Sequence, residues 1–309
     1  MAKATRVSFG ERLAELGATH PEIVVFDADL SKSTQSQIFA AQYPDRFFEM
    51  GIQEHNMIGA AAGMALSGKK PFICSFSTFV VGRFEAIRMS IGYSEANVTV
   101  VGTHCGVAIG EDGYSQMALE DIALMRTLPN MTIIQPADDR ETRGAVDFLA
   151  GHPFPAFLRL TRQGVEHIHG DDYHFVFGKA DVLKDGDDAV LFTTGGVVYN
   201  SLKAAEALEK EGLHIRVVNI YTIAPLDAEY VIQAARETGR VITVEDHSIV
   251  GGLGGAIAEV LGEGQPTRMK RIGMREYGRS GSPTDLYVHY GLDEAGIRKQ
   301  VAAFLADHS

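Results

Sequence analysis

FFEMGIQEHNMIGAAAGMA, at positions 47–65, joins an extended run to a helix of unusually small residues. Gly51 breaks the extended run, and the glycines and alanines that follow would let another backbone approach the helix closely. We therefore predict that this helix lies at a packed interface. Glu54, near its start, would lose water there and could share a proton with a neutral partner. The alternative is a glutamate in the first helical turn, where the macrodipole favours negative charge by about 0.3–1 kcal/mol.

Short β-rich runs alternate with helical patterns on both sides of this stretch. The β-rich runs include EIVVFD, KPFICSF, NVTVVGT and FPAFLRL. Such near-continuous apolar strands with helical crossovers predict an α/β fold of two doubly wound α/β domains with mostly parallel sheets. We predict a first domain at 1–165, a polar linker at 166–186 and a second domain at 187–309.

The composition argues against several classes of protein. The 309 residues include 28 Lys plus Arg against 40 Asp plus Glu, a formal net charge of −12, which disfavours binding to nucleic acid or to an anionic membrane. Cys74 and Cys105 offer neither a disulfide framework nor a CxxC site, which indicates a reducing compartment. No stretch approaches the roughly 20 apolar residues of a membrane span, and the N-terminal pattern lacks an apolar signal region. We predict a cytoplasmic protein.

Candidate ligand contacts follow the predicted strands. Asp29 comes two residues after EIVVFD, in a segment that could equally start a helix with Ser31 or Ser33 as its N-cap. Arg162 follows FPAFLRL, where its guanidinium could hold a phosphate through two hydrogen bonds or form a surface salt bridge.

Aromatic residues and a glycine-rich loop follow two other strands. Phe76, Phe79 and Phe84 come at or after the end of KPFICSF, and aromatic residues at such spacing are most often core residues. His104 follows NVTVVGT and precedes GVAIGEDGYSQM, in which glycines flank Asp112. Those glycines would let the loop fold tightly and approach a ligand, which favours a functional loop over a plain surface loop.

Two further patterns do not predict sites. GGLGGA at 251–256 has isoleucine at 257, where a dinucleotide-binding motif needs glycine or alanine, so helix packing explains it better. His167, His169 and His174 fall in the predicted linker without paired ligands at helix or hairpin spacing, so we predict no metal site.

Taken in order, the motifs resemble the pyrimidine-binding and C-terminal domains of transketolase, a thiamine diphosphate enzyme, over essentially the whole chain. The matching segments are DADLS at 27–31, GIQEHNM at 51–57, SFSTF at 75–79, GEDG at 110–113, LPNM at 128–131, LTRQ at 160–163 and VEDH at 244–247. The resemblance implies a transferase that moves a two-carbon ketol unit from a ketose, or ketose phosphate, to an aldose.

The resemblance also implies roles for single residues. Glu54 would hydrogen-bond the cofactor's pyrimidine ring and favour the imino form that takes the thiazolium C2 proton, with His104 as a second catalytic residue. The other implied contacts are Asp29, Leu30, Phe76, Phe79 and Phe84 with the cofactor, and Ser33, His104, Asp112, Gln116 and Arg162 with the substrate. Gln116 stands where the family has histidine, and a neutral amide does not move a proton as imidazole does.

The family's diphosphate-binding module carries a GDG motif, and that tripeptide does not occur in this sequence. We therefore predict one subunit of a split transketolase. A second polypeptide with the GDG module would hold Mg²⁺ and the diphosphate of thiamine diphosphate, in an α2β2 heterotetramer that acts on sugar phosphates.

Three alternatives remain at this point. The β subunit of a 2-oxoacid dehydrogenase E1 shares the two-domain layout, although the STF and GEDG segments fit transketolase better. Deoxyxylulose-phosphate synthase is related, but its glutamate motif reads AEQH, whereas this chain has QEHN at 53–56. The third is a non-catalytic assembly partner, against which the joint presence of Glu54, Asp29, Asp112 and Arg162 argues.

Overall fold

The computed structural model describes residues 2–307, in which the predicted alternation becomes two mainly parallel sheets with helices on both faces. The strands are β1 (Lys3–Ala4), β2 (Ile23–Asp27), β3 (Phe47–Glu49), β4 (Lys70–Phe76), β5 (Thr99–Thr103), β6 (Thr132–Ile134), β7 (Ala156–Arg159), β8 (Gly164–Val165), β9 (Asp181–Lys184), β10 (Ala189–Thr193), β11 (Ile215–Asn219), β12 (Thr222–Ala224), β13 (Arg240–Ser248) and β14 (Arg268–Met274).

The helices connect these strands. They are α1 (Thr5–Leu16), α2 (Ser31–Thr34), α3 (Gln37–Gln42), α4 (Glu54–Leu66), α5 (Ser77–Val81), α6 (Phe84–Ala86), α7 (Asp121–Arg126), α8 (Asp139–Gly151), α9 (Val198–Glu209), α10 (Ala228–Thr238), α11 (Leu253–Gly264), α12 (Pro283–Tyr290) and α13 (Glu294–Ala306). Within residues 2–307, no helix has both the length and the apolar composition needed to cross a bilayer.

The first sheet has the order β12-β6-β7-β5-β4-β2-β3, and all its pairings are parallel except that of β12 with β6. Alternate residues of β2 enter two different cores, because Val24 and Phe26 pack on one face and Ile23 and Val25 on the other. This confirms the predicted doubly wound fold. The carboxyl ends of β2, β4, β5 and β7 meet at one edge, which brings together the polar segments that follow them.

The second sheet has the order β14-β13-β10-β11-β9 and is parallel except at β9. The edge strand β9 falls inside the segment predicted as a linker, while β12 leaves the second half of the chain to pair with β6 of the first sheet. Neither strand was predicted, because three or four residues at an edge carry too little hydrophobic periodicity. The domain boundaries themselves stay a prediction.

Two segments show how local sequence patterns correspond to helices in the structure. The segment FEAIRMSIGYSEA forms α6 followed by a π-helix at Ile87–Tyr93, and its apolar spacing does not distinguish a π-helix from an α-helix. GGLGGA contributes to the start of α11, where Glu245 accepts hydrogen bonds from the backbone N–H groups of Leu253 and Gly254 at 2.7 and 2.9 Å. A Cβ on Gly254 would lie 2.7 Å from Thr243 Oγ1, so glycine there permits close helix–strand packing, as predicted.

The linker histidines have no paired ligands at helix or hairpin spacing, but His169 meets two carboxylates from distant segments. Its Nδ1 lies 3.0 Å from Asp138 Oδ2 and its Nε2 lies 2.8 Å from Asp181 Oδ2. Ligand atoms of Glu141, His169 and Asp181 lie within 4.8 Å of one another. Burial opposes the charge on His169, but the hydrogen bonds with the two aspartates outweigh it and raise its pKa to about 10. His169 therefore supplies the positive charge of this cluster, and sequence spacing missed it because the carboxylates come from α8 and β9.

His169→Gln is expected to lower the free energy of unfolding by about 3 kcal/mol at pH 6, because it leaves buried Asp138 without its cationic partner. The folded pKa of about 10 lies above the ordinary value of 6.5, so the stabilisation is fully present below about pH 6.5 and is lost as pH rises through about 10. Urea unfolding should show the gap between wild type and variant shrinking over that range. Exposed His174, changed to Gln, is the control, and a gap independent of pH would contradict a charged His169.

Candidate active site

Glu54 is the first residue of α4, and its position at the sheet edge is fixed by the break in backbone direction after β3. Gly51 adopts a φ of 68°, which favours glycine and turns the chain from the strand toward the helix. The side chain of Glu54 is only 5% exposed, and Ser75 Oγ of β4 donates a hydrogen bond to its Oε1 at 3.3 Å. Within residues 2–307 its second carboxyl oxygen has no hydrogen-bond partner, so it is free to accept or share a proton with a ligand.

Phe76, Phe79 and His104 form an aromatic stack at the same edge. The Phe76 and His104 rings lie 3.8 Å apart at an angle of 23°, and the Phe76 and Phe79 rings lie 5.6 Å apart at 11°. Phe76 follows Ser75 directly, so the stack and the Glu54 carboxylate are tied to the same strand end. Parallel rings of this kind provide a surface on which a flat heteroaromatic ring can pack.

Phe84 does not join this stack. It lies in α6 and packs, partly buried, against the core cluster beneath α4, whereas Phe79 packs against the cluster that includes Phe76. The sequence spacing grouped the three phenylalanines, but the short α5 and the turn after it direct Phe84 to a different cluster. Its assignment as a cofactor contact stays a prediction, with less support from the structure than those of Phe76 and Phe79.

His104 is buried in a strained backbone conformation with a φ of 60°. Its Nδ1 lies 2.8 Å from Thr103 Oγ1, while its Nε2 has no hydrogen-bond partner within residues 2–307. Burial, followed by the positive charges of Arg6 and Arg162, lowers its pKa to about 3. His104 is therefore neutral near pH 7 and can exchange a hydrogen bond with a ligand hydroxyl or phosphate.

Arg6 is a candidate site residue that sequence reasoning missed. It lies on α1, its Nη1 donates a hydrogen bond to the carbonyl of Ser33, and its buried Nε has no partner among the described residues. Burial, and then the positive charge of Arg162, lower the pKa of Arg6. Two guanidinium groups near one another beside a neutral histidine form a site for an anion, since an anion would offset their repulsion.

Arg162 follows β7 and is half-buried, with its Nη1 donating a hydrogen bond to the carbonyl of Ile109 and lying 3.3 Å from Glu111 Oε2. The structure thus places Arg162 against the glycine-rich loop that carries Asp112 and Gln116. Asp112 is exposed and Gln116 is half-buried. The salt bridge that the sequence left open as an alternative is present, but it is partly exposed and leaves the other guanidinium nitrogens available.

Asp29, Leu30 and Ser33 lie on the segment after β2, and the structure shows what shapes that segment. The buried carboxylate of Asp27 accepts hydrogen bonds from the Leu30 backbone N–H at 2.6 Å and from the Thr34 hydroxyl at 2.7 Å. Burial raises the pKa of Asp27 to about 6 despite these bonds. Asp29 has a φ of 63° and its backbone N–H donates a 2.7 Å bond to Glu49, so the ends of β2 and β3 are tied together.

The arrangement combines three chemical functions at one edge of the first sheet. A buried carboxyl group can hold a proton at a ring nitrogen, an aromatic stack can pack against that ring, and a basic group of residues can bind an anion. Such a site suits a heteroaromatic cofactor together with a phosphorylated or hydroxylated substrate.

Two family models match the chain. "Transketolase, pyrimidine binding domain" covers residues 1–167, and "Transketolase, C-terminal domain" covers residues 178–297. The matches include both sheets and every candidate site residue described above.

Individual proteins agree with the family models. A putative transketolase C-terminal section of Methanocaldococcus jannaschii is 43% identical over 97% of this chain and 95% of its own length. One of the subunits of the apulose-4-phosphate transketolase of Phocaeicola vulgatus is 39% identical over 98% of this chain and 97% of its own length. A solved structure, described as a split gene transketolase in an inactive beta4 tetramer, is 43% identical with a TM-score of 0.90 and 99% coverage of both chains.

Proposed function

This chain belongs to the transketolase family as a split-transketolase subunit, and we propose that it supplies the glutamate that activates a cofactor shared with a second polypeptide. The observation that carries the proposal is the position of Glu54, a buried carboxyl group at the start of a helix whose outer face is uncovered. We assign residues 1–165 to the pyrimidine-binding domain, 166–186 to a linker and 187–309 to the C-terminal domain; the family matches over 1–167 and 178–297 support a division into two domains.

The uncovered face of α4 supports docking of a partner. An added Cβ at Gly59 or Gly63 would meet nothing within 4 Å, so neither glycine is needed for packing inside this chain. Ile52, just before α4, and Tyr93, at the end of the π-helix, are 76% and 81% exposed. In our proposal this face receives the subunit with the GDG module, in an α2β2 heterotetramer, and the small residues let the two backbones approach closely.

The residues at the sheet edge fit thiamine diphosphate, which when bound supplies an acidic carbon centre and an electron sink for carbon–carbon bond cleavage. Glu54 would hold a proton at the pyrimidine nitrogen, using the carboxyl oxygen that Ser75 leaves free. Phe76 and Phe79 would pack against the ring and exclude water from it, with Asp29 and Leu30 at the reactive end. Mg²⁺ and the diphosphate are assigned to the partner chain.

The substrates we propose are sugar phosphates. Arg6, Ser33 and Arg162 would hold the phosphate, because they lie close enough for Arg6 to bond Ser33 and for both arginines to lower the pKa of His104. His104 and Asp112 would bind sugar hydroxyls, with Gln116 as a neutral hydrogen-bonding neighbour. The relative from Phocaeicola vulgatus is named for a phosphorylated sugar, which supports this substrate class.

Ketol transfer by the separate and combined subunits tests the proposal. With thiamine diphosphate, Mg²⁺, a ketose phosphate and an aldose phosphate, the chain alone should be inactive, and activity should appear when the GDG subunit is added. The beta4 tetramer of a similar split transketolase is described as inactive, which agrees with this expectation. Full activity of the chain alone would contradict a shared cofactor site. Failure of the assembled pair to transfer a ketol unit between any sugar phosphates would contradict the activity, and a reaction with a 2-oxoacid would favour the E1 alternative.

A further inference from the structure

A buried aspartate of the second sheet holds the loop that carries His104 and Asp112. Between these two residues lies the 3₁₀ turn Val107–Ile109, and the backbone N–H of Val107 donates a 2.8 Å hydrogen bond to Asp246 Oδ1. Tyr287 of α12 donates its hydroxyl to Asp246 Oδ2 at 3.1 Å. Both carboxylate oxygens are therefore used, one toward the loop and one toward α12.

Packing around this contact leaves the loop little freedom. Gly106 has a φ of 77°, and a Cβ there would lie 2.1 Å from Asp246 Oδ2, so only glycine allows this approach. Val107, Ala108 and Ile109 are buried in the hydrophobic cluster formed largely by the second sheet and its helices. The turn is thus built into the core of the second half of the chain, although His104, three residues before it, stacks on Phe76 in the candidate active site.

This hydrogen-bond network extends to the segment after β7, which carries Arg162. Tyr287 Oη accepts a 2.9 Å bond from Gln163 Nε2, and the neighbouring Arg162 donates to the carbonyl of Ile109, the last residue of the turn. These hydrogen bonds form a closed network. It runs from Val107 through Asp246, Tyr287 and Gln163 to the adjacent Arg162, and Arg162 bonds the turn again at Ile109. It connects the segments after β5 and β7, which carry the proposed hydroxyl-binding and phosphate-binding groups.

We propose that Asp246 and Tyr287 are positioning residues that fix the spacing of His104, Asp112 and Arg162 for the sugar substrate. The identity of the ligand rests on the proposed function. The claim that the second sheet sets the conformation of the loop does not depend on it. This positioning gives the C-terminal half a role in substrate binding through two buried residues that act on the loop. Their removal should therefore weaken binding of the sugar while leaving cofactor binding unchanged.

Asp246→Asn tests this in the assembled pair. The amide cannot accept a hydrogen bond at both of its heavy atoms, so one of Val107 N–H and Tyr287 O–H loses its acceptor. We expect KM for the donor ketose phosphate to rise about tenfold, with kcat reduced less than threefold and the apparent Kd for thiamine diphosphate unchanged. Tyr287→Phe keeps the ring and removes one bond, so it should raise KM in the same direction by a smaller factor, even if Asp246→Asn folds poorly.

Glu245→Gln is the matched control. Glu245 is the adjacent buried carboxylate of β13, and it accepts two backbone hydrogen bonds from α11 rather than from the loop. It should lower thermal stability as Asp246→Asn does, without raising KM. Equal KM values for wild type, Asp246→Asn and Tyr287→Phe, or the same rise in Glu245→Gln, would overturn the positioning role.

Hydrogen–deuterium exchange provides a readout that does not depend on activity. Asp246→Asn should increase exchange in the peptide that spans 104–117 by about tenfold, whereas Glu245→Gln should increase it only around the start of α11. Unchanged exchange at 104–117 in Asp246→Asn would overturn the inference. If the wild-type pair transfers no ketol unit but this exchange pattern is found, the proposed function fails while the positioning of the loop stands.

Discussion

In the assembled pair, Glu54→Gln is expected to reduce kcat for ketol transfer roughly 10²- to 10⁴-fold, which is the usual contribution of a positioned acid–base group. Glutamine keeps the size of the side chain and can still accept the 3.3 Å hydrogen bond from Ser75, so the start of α4 should fold as in wild type. The amide, however, cannot hold a transferable proton at a ring nitrogen. The loss should therefore appear in kcat, with KM for both sugars little changed.

Glu294→Gln controls for the simpler role of a glutamate at a helix start. Glu294 is the first residue of α13, as Glu54 is of α4, but it is exposed and far along the chain from the candidate site. If the macrodipole were the reason for an acidic residue at position 54, both variants would lose about 0.3–1 kcal/mol of stability and neither would lose activity. A kcat for Glu54→Gln within threefold of wild type would contradict the acid–base role.

Arg6→Ala is expected to lower kcat/KM for phosphorylated sugars by roughly 10- to 100-fold, which corresponds to the loss of one charge-assisted hydrogen bond. The same variant should change kcat/KM for the unphosphorylated sugars by less than about threefold, because no anion then lies between the arginines. Arg162→Ala should show the same preference. Its effect will extend to unphosphorylated sugars to some degree, because Arg162 also bonds the carbonyl of Ile109 in the substrate loop.

Arg12→Ala is the matched control for Arg6→Ala. Arg12 lies on the same helix and is engaged by Asp147 and Glu15 at 2.5 and 2.6 Å, so it has carboxylate partners of its own away from the site. It should leave the kinetics with both classes of sugar unchanged. Equal losses with phosphorylated and unphosphorylated sugars in Arg6→Ala would remove the phosphate assignment.

The sequence was sufficient to predict the strands whose ends carry most of the candidate site residues. Because parallel strands end at one edge, the positions of Asp29, Phe76, His104 and Arg162 at or after the ends of β2, β4, β5 and β7 predicted that they lie at the same edge of the sheet. The small residues after Glu54 likewise indicated an interface, and the face they form is uncovered in the folded chain. The signals behind these predictions are local in sequence, whereas the roles of the site residues and the interface itself stay predictions.

The features that the sequence did not reveal depend on contacts between distant segments. Arg6 reads as one charged residue of an amphipathic helix, and only the packing of α1 beside Ser33 places it at the site. His169 gains its aspartates from the N-cap of α8 and from β9, and Asp246 meets the substrate loop across the two halves of the chain. Phe84 shares the spacing of Phe76 and Phe79 but not their core cluster. In each case tertiary packing, which local periodicity does not encode, determined the partner.

Exchange of the cofactor's C2 proton for deuterium reports directly on activation by Glu54. The rate would be followed by quenched-flow and proton NMR for thiamine diphosphate with this chain alone, with the GDG subunit alone, with the wild-type pair and with the Glu54→Gln pair. We predict rapid exchange only in the wild-type pair, and a rate at least about 100-fold slower in the variant pair at equal cofactor occupancy. Exchange in the Glu54→Gln pair as fast as in wild type, or rapid exchange with the GDG subunit alone, would contradict the role of this chain.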